Sequence, residues 1–116
     1  MEENLKRIDE LASYKYGDRG DVTISRQAVD VMKTLIKACK KASVKQPKIF
    51  PFSGGDGLQA EWEHDDVYIE FSADSNCVSV YIEGHEGKNS LTKQDADAIT
   101  LCLNEWSKRK GWMNNV

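Results

Sequence analysis

The sequence is poor in the residues that build metal centres and disulfide frameworks. It holds only 2 histidines and 3 cysteines, and Cys39, Cys77 and Cys102 are widely spaced with no Cys-x-x-Cys pair. An odd, dispersed set of cysteines argues against a disulfide scaffold or a structural zinc site. We therefore predict that all three are small core residues, that the protein is cytoplasmic, and that it binds no metal or cofactor.

Long apolar runs are also missing. No stretch approaches the roughly 20 residues of a membrane-spanning helix, and the acidic start Met1-Glu2-Glu3 is unlike the basic start of a signal peptide. We expect neither a membrane span nor a signal peptide. Hydrophobic residues make up 40% and charged residues 30% of the 116 residues. This balance and length predict one globular domain over residues 1–116.

Two stretches of the N-terminal half have the apolar period of a helix. The first helix is predicted from about Glu3 to Tyr16. The second begins behind Ser25, a residue type that favours the N-cap position, and ends near Ala42. Their apolar stripes contain Leu5, Ile8, Leu11 and Ala12 in the first helix, and Ala28, Val29, Met32, Leu35, Ile36 and Cys39 in the second.

From Pro47 onward the apolar period changes from 3.6 to 2, which is typical of strands with one buried face. Alternation is regular over 58–62, 67–71 and 78–82. When apolar residues are required to oppose one another across each turn, Trp62 pairs with Val67, Ile69 with Val80, and Phe50 with Ala60. Phe52 then joins Phe50 on the inner face. The result is a four-stranded antiparallel meander.

The two edge strands of this sheet differ in how readily they could pair with another chain. Pro51 lacks an amide donor, which suits an edge position in the first strand. The strand over 76–83 is the other predicted edge, and it has no proline to block pairing with another strand. A homodimer formed through this strand is therefore possible. Residues 85–89 are predicted to be a polar loop.

A third helix is predicted after Thr92. Asp95 stands three residues further on, as in a capping box with Asp in place of Glu, and Gly111 suits the position after the helix end. The predicted class is therefore α+β, with the element order ααββββα. We expect the helices to pack on one face of the sheet, the second and third covering it and the first at its margin.

Several short motifs resemble those of a widespread family of short, uncharacterised bacterial and phage proteins. That family has a Gly-rich aromatic turn, an Ile-Ser helix start, a Pro-x-x-x-Pro strand, a Gly-Gly turn and Leu-Glu-Trp-Glu. The matching stretches here are 17–20, Ile24-Ser25, 47–51, 54–57 and 60–63. The tryptophan of the family's first turn is replaced by Asp18 or Arg19. The resemblance implies the fold, a phage or mobile-element setting, and no assigned activity.

No motif predicts a catalytic centre. His64 lies at a hairpin tip, and His85-Glu86 begins like His-Glu-x-x-His but lacks the second histidine. The glycines of 53–57 lead into a strand, whereas phosphate loops lead into a helix N-terminus. We therefore expect no catalytic residues.

The outer face of the predicted sheet is acidic. The chain carries 7 acidic residues and no lysine or arginine between Gly57 and Glu83. If the apolar set points inward, many of these acids point outward together with two tyrosines. We predict a noncatalytic module that binds the basic surface of a protein partner. Its predicted binding residues are Glu61, Glu63, Tyr68, Glu70, Tyr81 and Glu83.

Two alternatives remain open from the sequence. The second helix carries Lys33, Lys37, Lys40 and Lys41, which could contact phosphates and make the protein a nucleic-acid-binding accessory factor. No aromatic or arginine readout residues are interleaved with them, so nucleic acid is the less favoured partner. An enzyme is the other alternative, with a site formed by residues that are distant in the sequence.

Overall fold

The computed structural model describes residues 1–52, 55–64, 67–84 and 87–93. These residues form a two-stranded hairpin, β1-β2, and an antiparallel sheet in the order β3-β4-β5-β6-β7. The predicted α+β class with an antiparallel sheet is confirmed. The elements are α1 (Glu2–Ala12), β1 (Lys15–Tyr16), β2 (Val22–Thr23), α2 (Arg26–Lys41), β3 (Lys48–Pro51), β4 (Leu58–His64), β5 (Val67–Ala73), β6 (Val78–Gly84) and β7 (Gly87–Lys93).

The first helix ends earlier than the sequence predicts. α1 stops at Ala12, and Tyr16 belongs to β1, which pairs with β2 in a hairpin. The turn of this hairpin needs glycine, because Gly17 and Gly20 have φ angles of +88° and +64°. The Tyr16 hydroxyl donates to the Leu11 carbonyl at 2.6 Å. The hairpin is thereby tied back to the end of α1.

Both ends of α2 are capped by specific contacts. The Ser25 hydroxyl accepts a hydrogen bond from the Ala28 amide at 3.1 Å, which confirms the predicted N-cap. At the other end the Val44 amide donates to the Cys39 carbonyl at 2.9 Å, and the Ser43 amide donates to the Lys40 carbonyl at 3.2 Å. This is a Schellman motif in which Ser43, at φ 57°, stands where glycine is usual.

The helices and the sheet share one hydrophobic core. α1 packs against α2 and β3, and α2 packs against β4 and β5. Burial of apolar area at about 25 cal/mol per Å² is the main stabilising term here. Neither described helix is long and apolar enough to cross a lipid bilayer. The fully buried large side chains are Ile8, Met32, Leu35, Ile36, Val44, Ile49, Leu58, Ile69, Phe71 and Val80.

The inward face of the central strands is as predicted, although the registers differ. Among the described side chains, the predicted inward residues of β4, β5 and β6 are all buried. Trp62 pairs with Ile69, and Ile69 pairs with Ile82, so the predicted partners Val67 and Val80 are wrong by two residues. A shift of two residues leaves every side chain on the same face.

The first strand of the large sheet has the opposite parity to the prediction. Ile49, not Phe50, lies opposite Ala60, and it is 1% exposed. Phe50 lies opposite Gln59 and is half-buried on the outer side. The predicted inner position of Phe50 is therefore wrong, because a shift of one residue moves each side chain to the other face.

α1 covers the outer margin of β3. The Arg7 Nε donates to the Ile49 carbonyl at 2.8 Å, and the Asn4 Nδ2 donates to the Pro47 carbonyl at 3.0 Å. Carbonyl groups at a sheet edge are free to pair with another chain unless something covers them. Here two side chains of the first helix cover such carbonyl groups.

A strand that the sequence did not predict follows β6. Residues 87–93, part of the predicted polar loop and helix start, form β7 and pair along the whole length of β6. The predicted edge position of 76–83 is therefore wrong, and β7 occupies the edge through which a homodimer was predicted. The helix predicted after Thr92 has its first position, Lys93, in β7, and the rest of it falls on 94–116, outside the described residues.

The cysteines differ in their surroundings. Cys39 is buried, and burial raises the pKa of its thiol to about 12. Cys77 is exposed at the β5-β6 turn, so its predicted core position is wrong. Cys102 lies outside the described residues.

We expect thiol reagents to separate these two cysteines. In a Cys102→Ser background at neutral pH, Cys77 should react first because it is exposed, although desolvation and the charge of Asp74 raise the pKa of its thiol. Cys39 should react at least about a hundredfold more slowly, because it is buried and its pKa is raised to about 12. The measurement is the rate of absorbance change with a chromogenic disulfide reagent. Adding Cys77→Ser should abolish the fast phase. A fast phase that persists in this double variant would contradict the burial of Cys39.

Candidate partner-binding face

The predicted binding residues all lie on the outer face of the large sheet. They alternate along β4, β5 and β6 with residues that are buried in the core. All are half-buried except Glu63, which is exposed. We call this surface the acidic face, and it comprises Glu61, Glu63, Tyr68, Glu70, Tyr81 and Glu83.

The strand registers arrange tyrosines and glutamates alternately on this face. Tyr68 lies between Glu63 and Glu83, and Glu70 lies between Glu61 and Tyr81. The registers predicted from the sequence, with Trp62 opposite Val67 and Ile69 opposite Val80, would set Tyr68 opposite both Glu61 and Tyr81, and those two pairs are wrong as direct partners. The two residues of each predicted pair are diagonal neighbours instead, so they share a surface although they are not directly opposite.

Hydrogen bonds orient five of the six side chains of the acidic face. The Tyr68 hydroxyl lies 2.9 Å from Glu61 Oε1 and 3.0 Å from Glu70 Oε1. Gln59 Nε2 also donates to Glu61 Oε1. The Tyr81 hydroxyl donates to Glu83 Oε2 at 2.8 Å. Because a hydroxyl has one proton, Tyr68 satisfies only one of its two carboxylates at a time.

The environment of Tyr68 favours its protonated form. Burial is the largest cause that raises its pKa, followed by the hydrogen bonds and negative charges of Glu61 and Glu70. Removing the proton would place a third negative charge beside two carboxylates. Tyr68 therefore remains a hydrogen-bond donor at neutral and moderately alkaline pH.

The two tyrosine rings contact each other at the middle of the face. The centroids of Tyr68 and Tyr81 are 6.4 Å apart, with an interplanar angle of 63°. This edge-to-face arrangement is a favourable geometry for aromatic pairs. The contact adds to the hydroxyl hydrogen bonds that orient both rings.

Strand β3 adds residues that sequence reasoning missed. Because its parity is reversed, Phe50 joins the outer side and Lys48 lies opposite Glu61. The acidic face is therefore bordered by an aromatic ring and a cation. Sequence reasoning missed them because the run Ile49-Phe50-Pro51-Phe52 is apolar at every position. Strand alternation therefore cannot decide which of these side chains face the core.

The lysine-rich helix presents fewer unpaired charges than the sequence suggests. Lys33 Nζ forms an ion pair with Asp9 Oδ1 at 2.7 Å and joins α2 to α1. Lys37, Lys40 and Lys41 are exposed on α2. Of the four predicted phosphate-binding lysines, Lys33 therefore makes an ion pair with α1, and the other three are exposed to solvent.

The histidine motifs add no site to the described part of the chain. His64 ends β4, whereas Asp65, Asp66 and His85 lie outside the described residues. Over the described ranges, no group of three or more His, Cys, Asp or Glu residues is arranged to hold a metal ion. No protein-family model, curated protein or solved structure matches this chain.

Proposed function

We propose that this protein is a noncatalytic binding module whose acidic face receives a basic segment of a protein partner. The observation that carries the proposal is the direct opposition of Glu61 and Glu70 in neighbouring strands. Like charges in directly opposed positions destabilise a sheet. Tyr68 supplies one proton for both carboxylates, so a cationic side chain placed over the pair removes an existing repulsion.

The order of the face supports binding rather than simple hydration. Three of the carboxylates accept hydrogen bonds from side chains of the same face. A surface whose rotamers are already fixed loses less conformational entropy when it binds. Tyr68 and Tyr81 add half-buried aromatic area, and tyrosine is enriched where interfaces concentrate their binding energy.

Charge-neutral substitution tests this proposal. We expect the triple variant Glu61→Gln, Glu70→Gln and Glu83→Gln to bind a labelled peptide of alternating lysine and serine at least about tenfold more weakly than the wild type. The reason is the loss of charge-assisted hydrogen bonds, each worth about 1.5–3 kcal/mol. Fluorescence polarisation at several salt concentrations gives the dissociation constants.

A matched control separates the face from overall charge. Glu3, Glu10 and Asp18 are exposed and lie outside the sheet, so their conversion to Gln, Gln and Asn removes the same charge elsewhere. This control should bind within about twofold of the wild type. Equal losses in the two triple variants, or no binding by the wild type, would show that the acidic face is not a docking surface.

Binding of nucleic acid through α2 is the second candidate, carried by the exposed Lys37, Lys40 and Lys41. Replacing all three with alanine should weaken retardation of duplex DNA or single-stranded RNA and lower its salt dependence if this reading is correct. The acidic-face variant should then bind nucleic acid at least as well as the wild type. A role as an inhibitor or accessory protein of a phage or mobile element is supported only by the family resemblance.

A further inference from the structure

A groove opens at one margin of the acidic face, where β4 continues past the start of β3. The β3-β4 pairing ends at Lys48 and Glu61, whereas β4 extends to His64. The groove has a volume of about 380 Å³, which suits one or two peptide side chains rather than a folded element. It is lined by Lys45, Gln46, Lys48, Phe50, Glu61, Trp62, Glu63 and Tyr68.

The two walls of this groove have opposite charge. Lys45 comes from the segment that leads into β3, Lys48 is the first residue of β3, and Glu61 and Glu63 come from β4. The Trp62 indole N–H donates to the Lys45 carbonyl at 2.7 Å and joins the two walls through the backbone. The Lys45 side chain takes no part in that bond, so the walls are held together without it.

Aromatic rings complete the lining. Phe50 from β3 and Tyr68 from β5 are both half-buried and both line the groove. A guanidinium group is planar and weakly hydrated, stacks on aromatic faces and pairs with carboxylates. An ammonium group is compact and strongly hydrated, and it gains less from such a lining.

We propose that this groove binds an arginine side chain of the partner together with an acidic residue next to it in the partner's chain. The guanidinium stacks on Phe50 and Tyr68 and pairs with the carboxylates of β4. The neighbouring carboxylate pairs with Lys45 and Lys48. This inference rests on the proposed function, and it specifies which basic segment the acidic face selects.

The test uses the full chain and the lysine-serine peptide with one central pair changed. The Arg-Asp version should bind about fivefold more tightly than the Lys-Asp version, as expected for one cation–π contact and bidentate pairing. Phe50→Leu, which keeps an apolar side chain, and Glu63→Gln should each remove this arginine preference. The wild type should also bind the Arg-Asp peptide more tightly than an Arg-Asn peptide, and the double variant Lys45→Ala and Lys48→Ala should remove that second preference. Thermal unfolding followed by circular dichroism verifies that each variant is folded.

The outcomes separate this inference from the function on which it rests. Equal binding of the Arg-Asp and Lys-Asp peptides, with both weakened by substitution of Glu70 and Glu83, overturns the groove assignment and leaves the acidic face as a docking surface. Failure of every basic peptide to bind overturns both. An arginine preference that survives Phe50→Leu and Glu63→Gln also overturns the groove assignment.

Discussion

Replacing Gly57 with alanine is expected to lower the free energy of unfolding by about 3 kcal/mol. A Cβ atom at this position would lie 2.4 Å from the Ala73 carbonyl oxygen and 2.9 Å from Asp74 Cβ. The first of these neighbours is backbone in β5, so it cannot rotate away as a flexible side chain can. The strands or the turn must therefore move.

The loop around Gly57 is also hydrogen-bonded to two other parts of the fold, which amplifies the effect of any movement. The Asp56 carbonyl accepts from the Ser25 amide at 2.8 Å, at the start of α2. The Asp56 carboxylate accepts from the Ser75 amide at 3.2 Å, in the β5-β6 turn. Movement of Gly57 would therefore disturb both hydrogen bonds of the neighbouring Asp56.

Chemical denaturation with urea measures the effect, and Gly55→Ala is the matched control. A Cβ at Gly55 would meet only a Phe52 ring carbon at 3.5 Å, an ordinary van der Waals contact. We expect this control to change the free energy of unfolding by less than about 1 kcal/mol. Similar stabilities for the two alanine variants would contradict the close approach of β5 to Gly57.

Ile49→Ala is expected to cost about 3 kcal/mol of stability, and Phe50→Ala only about 1 kcal/mol. Ile49 is 1% exposed and packs in the core opposite Ala60, so its truncation leaves a cavity. Phe50 is half-buried on the outer side, where solvent can fill the space that its ring leaves. The larger side chain should thus have the smaller effect.

Equilibrium unfolding of the two variants under the same conditions decides the parity of β3. The parity expected from sequence predicts the reverse order, with Phe50 the costly position. Phe71→Ala provides a reference for a fully buried aromatic residue, with an expected loss of about 4 kcal/mol. A loss at Phe50 as large as that at Phe71 would place Phe50 in the core and remove it from the groove.

The face of each central strand could be predicted because the apolar pattern there has one solution. In β4, Leu58, Ala60 and Trp62 alternate with polar residues, and only one face can be buried. The register was not predictable in the same way. Shifts of two residues preserve the pattern, so turn geometry decides among them. The outward position of the residues of the acidic face was therefore predictable, whereas their cross-strand partners were not.

Where the pattern is uniform, the sequence gives no basis for assigning a face or an element. β3 is apolar at consecutive positions, so its parity depends on packing against α1 and β4. β7 has Leu91 as its one large apolar residue, and it forms because β6 offers a free edge with which to pair. The groove residues Lys48 and Phe50 were missed for the first of these reasons, since their side of the sheet follows from the parity of β3.

The contacts of α1 with β3 have a consequence for how the sheet can grow. Arg7 and Asn4 occupy carbonyl groups that a foreign strand would otherwise use. The first helix therefore shields part of one margin of the sheet, in addition to contributing Ile8 and Leu11 to the core. We expect the loss of these two contacts to expose the Pro47 and Ile49 carbonyls to a strand of another chain.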